Sequence, residues 1–174
     1  MATKYLGAQP TGGFYIWKND KVTPYPMKDM KLAILVGVPG AYTPVCTDEH
    51  LKGYVDEIND GAFQEVDIIF FSTNDVMVMD AWNKAHGSPK IIAVSDDKYG
   101  PLTADVSDDA GSGDAPANPV FKALNQTVEF GETFGERVNR CAYLVENGEV
   151  TYKFDDPFAE KVKIEAEEIF SSPL

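Results

Sequence analysis

In the stretch GVPGAYTPVCTDEHL, residues 37–51, Cys46 follows a Pro-Gly turn and directly precedes an acidic, helix-prone run. Backbone N–H groups at a helix start have no intrahelical acceptor and favour an anion. A thiolate is such an anion, so this setting suits a nucleophilic sulfur. Thr43 lies three residues before Cys46 and Pro39 four before Thr43, giving P-x-x-x-T-x-x-C. The Thr43 hydroxyl can accept from a substrate O–H and donate to the sulfur. Pro39 stiffens the turn and shields the sulfur from water. The competing reading of Cys46 is a small core residue, as free cysteines often are.

Other residues with chemical potential are few. The second cysteine, Cys141, is far from Cys46 in sequence, and no C-x-x-C pair exists. With only His50 and His86 besides, no group shows zinc-ligand spacing, so no metal is expected. His50 falls one helical turn after Cys46. It reads as a packing or capping residue, with tuning of the thiolate as the alternative. His86, before Gly87, suits the negative end of a helix. Trp82, Met77 and Met79 read as core, and Trp82 has a subunit contact as its alternative.

These residues need a scaffold. KLAILVGV, VDIIFFST and KIIAVSD are apolar runs of the kind buried on both faces of a sheet. Helical patterns separate them, so an α/β fold with a largely parallel centre is expected. The helix after Cys46 shows Leu51, Tyr54, Val55 and Ile58 as one apolar stripe. Thr47 is its expected N-cap. Asn74 or Asp75 should cap a second helix that stops at Gly87. GFYIWKNDKVTPYPM predicts an N-terminal hairpin extension, CAYLVENGEVTYKF a hairpin turning at Asn-Gly, and KVKIEAEEIF a closing helix. Residues 1–13 read as a loosely held arm. Residues 104–119 read as an acidic inserted loop, solvated or contacting a partner.

The 174 residues suit one domain, 1–174. A formal net charge of −13 argues against nucleic acid and anionic lipid as partners. No stretch approaches the roughly 20 apolar residues of a membrane span. The first residues lack a signal-peptide pattern, so a cytoplasmic protein in a reducing compartment is expected.

The segment GVPGAYTPVC followed by HLKGYV resembles the peroxiredoxin active-site motif, in particular the type II, peroxiredoxin-five-like subfamily of the redoxin superfamily. STNDVMVMDAWNKAHG and FKALNQTVEFGETFGERVNRCAYLVENGEV are similar to further segments of that subfamily, in order, over roughly residues 30–155. The resemblance implies a thioredoxin-like fold with a mixed central sheet flanked by helices. It implies a thiol-dependent peroxidase that reduces hydrogen peroxide and alkyl hydroperoxides through a Cys46 sulfenic acid, without a cofactor. It places the catalytic arginine on Arg140, with Arg137 as rival. A guanidinium there would stabilise thiolate and orient a peroxide oxygen. It also implies a homodimer.

Two departures from the subfamily stand out. Cys141 occupies a position where relatives usually carry an aromatic residue, and strand alternation sends it away from Arg140. It reads as core, with a resolving role as the alternative. One-cysteine behaviour is therefore expected, with glutaredoxin and glutathione, or thioredoxin, as reductant. Lys52 replaces a subfamily proline, so the helix should simply continue. A reading from another class is a redox-sensing or chaperone-like binding protein that relays Cys46 oxidation to a partner.

Overall fold

The computed structural model describes residues 1–96 and 119–171. The three apolar runs become β4 (Leu32–Gly37), β5 (Asp67–Ser72) and β6 (Ile91–Ser95), parallel neighbours in one sheet. β9 (Cys141–Glu146) lies antiparallel on the other side of β4, pairing Gly37 with Cys141. β10 (Glu149–Lys153) returns beside β9 across the Asn147-Gly148 turn. β2 (Gly13–Lys18) and β3 (Lys21–Pro26) form the expected hairpin and join the far edge of β6. With β1 (Thr3–Lys4) at one edge, the strand order is β1-β10-β9-β4-β5-β6-β2-β3.

Strand alternation divides the core into two layers. Ile34, Val36, Ile68, Phe70, Ala142 and Leu144 face one side. There they pack on α1 (Lys52–Asn59), α2 (Val76–His86) and α5 (Ala159–Ser171) through Tyr54, Trp82 and Val162. Ala33, Leu35, Ile69, Phe71, Tyr143 and Val145 face the other side, against Phe14, Met27 and the short helix α3 (Val120–Ala123). The Asp96 carboxylate accepts the first amides of α3, Val120 N–H at 2.9 Å and Phe121 N–H at 2.7 Å.

Three expectations are corrected. The N-terminal arm is not loose. Its Thr3–Lys4 segment, β1, pairs with β10, and Gln9 bonds both backbone groups of Val150. An edge strand offers unpaired backbone groups, and the arm satisfies them. Met77 is not core but 48% exposed on the outer side of α2, whereas Met79 and Trp82 are fully buried. Thr47 does not cap the helix after Cys46. Helical backbone already begins at Pro44, which tolerates the first turn because its missing N–H would have no partner there. Asp75 is the cap of α2, accepting from Val78 N–H at 2.9 Å, and Gly87 ends that helix. Lys52 continues the helix as expected and pairs with Asp56. Of the acidic segment 104–119, all but Pro119 lies outside the described residues.

A small lobe stands apart from the main sheet. β7 (Thr127–Glu129) pairs antiparallel with β8 (Glu136–Val138), and α4 (Gly131–Phe134) joins them. Gly131 and Gly135 bracket α4 at φ values of 76° and 62°, a left-handed conformation that glycine adopts without strain. Phe130 N–H and Gly135 N–H bond back across the lobe and close it.

Candidate active site

β4 delivers the chain to the C-terminal edge of the parallel strands, where α/β proteins place their chemistry. Val38 N–H still bonds the β5 carbonyl of Phe71, at 3.0 Å. The chain then turns through Pro39-Gly40-Ala41. Asn74, just beyond β5, fixes this turn by accepting from Ala41 N–H at 2.8 Å and from the Ser72 hydroxyl at 2.9 Å. A side chain on Gly40 would press on the Thr43 methyl at 3.3 Å, so the turn is built around its absence. Helix follows at Pro44, with Cys46–Leu51 in a π-helical turn that runs into α1. Such wide turns are enriched at functional sites. The first intrahelical donor is Thr47 N–H, to Thr43 O at 3.0 Å, so the amides of Val45 and Cys46 precede the hydrogen-bond ladder.

Cys46 is 1% exposed at the floor of a cavity of about 460 Å³. Pro39, Thr43 and Arg140 line the same cavity. Arg140 comes from the bend immediately before β9. Its Nη2 donates to Cys46 Sγ at 3.3 Å, and its Nη1 donates to His50 Nδ1 at 2.8 Å. The His50 Nε2–H in turn donates to Pro157 O at 2.9 Å, which fixes the tautomer. Burial, chiefly, and the adjacent guanidinium pull the His50 pKa down to about 3, partly opposed by the bond to Pro157. His50 is therefore neutral and acts as the acceptor that aims Arg140. Phe158 closes the cluster, its ring centroid 4.7 Å from the His50 ring and 5.8 Å from the Arg140 guanidinium.

The Thr43 hydroxyl does not donate to sulfur. It gives its proton to the Gly40 carbonyl at 2.7 Å, which completes the turn and leaves the oxygen lone pairs for an incoming O–H. Arg137 lies at the cavity wall, not on the sulfur. Its Nε donates to Phe134 O at 3.0 Å. Thr47 and Trp82 support the site from below, the indole N–H bonding the Thr47 hydroxyl at 3.0 Å. Cys141 is buried in the opposite core layer, where burial pushes its thiol up to about 12.

The sequence reads His50 as packing or capping, with tuning of the thiolate as the alternative, and its i+4 spacing from Cys46 sets it on the same helix face. Three further contributors carry less signal. Asn74 reads only as a cap. Phe130 and Phe134 carried no periodic signal.

The redoxin family pattern matches residues 27–169. The chain is 30% identical to peroxiredoxin-2C of Oryza sativa subsp. japonica over 136 residues, 77% of this chain and 73% of that protein. Two further curated relatives align over 46% and 33% of their own length. Among solved structures, reduced Prx3 of Vibrio vulnificus in complex with hydrogen peroxide aligns over 97% of this chain and 99% of its own, with TM-score 0.67 and 23% identity. The Plasmodium falciparum antioxidant protein, a 1-Cys peroxiredoxin, aligns over 97% and 98%, with TM-score 0.66 and 22% identity. Both likenesses concern the thioredoxin-like fold. The chain belongs to the redoxin family and, within it, to the type II peroxiredoxins, which are thiol-dependent peroxidases.

Proposed function

We propose that this peroxiredoxin reduces hydrogen peroxide and alkyl hydroperoxides by one-cysteine chemistry at Cys46. The observation that carries the reading is the Arg140 Nη2 to Cys46 Sγ bond of 3.3 Å at the cavity floor. The thiolate attacks the terminal, OH-bearing oxygen of the hydroperoxide. An S–O bond forms as the O–O bond breaks. The sulfur becomes a sulfenic acid, and the leaving alkoxide or hydroxide takes up a proton as alcohol or water. Arg140 and the amides of Val45 and Cys46 stabilise charge as it spreads over the oxygens. The Thr43 oxygen accepts from the peroxide O–H, and Pro39 keeps bulk water off the sulfur.

An external thiol then condenses with the sulfenic acid, releasing water, and a second thiol frees Cys46 as a disulfide leaves. Glutaredoxin with glutathione, or thioredoxin, fits that role, because Cys141 lies across the sheet from Cys46. A reducing, cytoplasmic setting, which would supply such thiols, belongs to the same proposal. Pairing into a homodimer would use the exposed Tyr42, which sits between the cavity-lining Ala41 and Thr43.

The test follows peroxide loss with dithiothreitol, alongside mass analysis of Cys46. Wild type should turn over and gain one oxygen on Cys46. Cys46→Ser should be inert, and Arg140→Ala should oxidise about 100-fold more slowly or worse. Wild type that consumes no peroxide overturns the reading.

A further inference from the structure

The cavity above Cys46 is far larger than hydrogen peroxide requires, and its lining is mostly apolar. Pro39, Ala41, Pro44, Val45, Phe130 and Phe134 supply that surface. Phe130 and Phe134 are 47% and 58% exposed, held at the mouth by the small lobe. A pocket of this size and character takes a molecule with an apolar body.

Arg137 sets one charge into that apolar wall. Its Nε bond to Phe134 O and its guanidinium, 5.8 Å from the Phe134 ring centroid, hold it in place. A side chain on Gly40 would come within 3.7 Å of Arg137 Nη1, so the guanidinium reaches across toward the turn that floors the cavity. Among the described residues no carboxylate pairs with it. Its neighbour Glu136 is bonded to Lys122 at 3.0 Å, and Glu132 is exposed on α4. In a chain with 28 acidic and 15 basic residues, a guanidinium without an acidic partner among the described residues is a departure. Arg140 is engaged by the Cys46 sulfur and by His50, which leaves Arg137 as the guanidinium on the cavity wall with no acidic partner among the described residues.

We infer that Arg137 is a specificity-determining residue that pairs with a carboxylate carried on an apolar hydroperoxide, so that the site favours fatty-acid-like hydroperoxides over their uncharged counterparts. The chain lies along Phe130 and Phe134, the carboxylate meets Arg137, and the peroxide oxygen reaches Cys46. The chemistry is the step already given, with the chain alkoxide leaving and protonating to a hydroxy acid. The inference rests on the peroxidase reading.

The experiment measures the rate constant for Cys46 oxidation by hydrogen peroxide, by a hydroperoxide of linoleic acid, and by the methyl ester of that hydroperoxide, each below its micelle concentration. Wild type should react about fivefold faster with the acid than with the ester, the worth of one ion pair at a partly exposed site. Arg137→Gln should bring that ratio near one, and Arg137→Lys should restore part of it. In a second measurement, Cys46→Ser protein should bind laurate more tightly than dodecanol by a similar factor, which needs neither turnover nor an altered Arg137. Equal rates for acid and ester in wild type, a ratio unchanged in Arg137→Gln, or equal binding of laurate and dodecanol each overturn the inference while the peroxidase reading stands. Failure of wild type to react even with hydrogen peroxide overturns both.

Discussion

Arg140 makes two short contacts that divide its work. One amine of the fork touches the nucleophilic sulfur, and the other is held by His50. A guanidinium pre-aimed in this way loses little freedom when a peroxide arrives. His50→Leu should therefore slow Cys46 oxidation about tenfold, because the fork loses its anchor within a buried cluster. His50→Asn places an amide oxygen near the former Nδ1 and should recover most of that rate. Stopped-flow oxidation of both variants checks this, and equal rates for Leu and Asn would contradict the anchoring role. Titration of the same residue reports on stability. The unfolded His50 takes up a proton near pH 6.5, whereas in the fold it does so only near 3. The unfolded chain thus binds more protons between those limits, so this stabilisation is intact above 6.5 and lost as pH falls toward 3. Urea midpoints between pH 6.5 and 4.5 should fall by an amount equivalent to roughly 2 kcal/mol, and His50→Asn should flatten that slope. The sequence placed His50 beside Cys46 by spacing, but its bond to a residue 90 positions away has no local signal.

At the scale of elements, the site depends on α2 although no atom of that helix lines the cavity. Trp82 lies under the Cys46 turn and bonds Thr47, and the Met79 sulfur lies 3.1 Å from the Ser72 hydroxyl oxygen that holds Asn74. The cap at Asp75 fixes where α2 starts. Asp75→Ala should cost about 1 kcal/mol of unfolding free energy, read from a denaturant curve, with peroxide kinetics within about twofold of wild type. The long elements were readable because each repeats a pattern: apolar runs for β4, β5 and β6, the Leu51–Tyr54–Ile58 stripe, the Asn-Gly hairpin. β1, β7 and β8 were not, because strands of two or three residues show no periodicity and owe their existence to the edge or partner they pair with. Phe130 and Phe134 went unread for the same reason. The start of the helix at Cys46 was misplaced by a few residues because Thr47 has the chemistry of a cap. Its hydroxyl is instead the acceptor for Trp82, a partner 35 positions away.

For the whole molecule, the sheet itself separates the two sulfurs. Cys46 belongs to the layer under α1, α2 and α5, and Cys141 to the layer under the N-terminal hairpin. Cys141 pairs in register with Gly37 at the end of the β9–β4 ladder, and a side chain at Gly37 would collide with its sulfur at 2.7 Å. An intrachain disulfide would require the Gly37–Cys141 end of the ladder to open and Cys141 to leave its core layer for the one that holds Cys46. Burial also holds the Cys141 thiol protonated, with its pKa pushed up to about 12, so it is a poor attacking group at neutral pH. Cys141→Ser should therefore leave turnover with dithiothreitol within about twofold of wild type, while a buried hydroxyl in an apolar layer lowers stability by about 1 kcal/mol or more. Peroxide-treated wild type should show oxygen added on Cys46 and no Cys46–Cys141 crosslink in peptide mass analysis. A crosslink that forms at the rate of turnover would mean that the ladder opens in every cycle, and the barrier that the sheet places between the two cysteines would then be kinetic only.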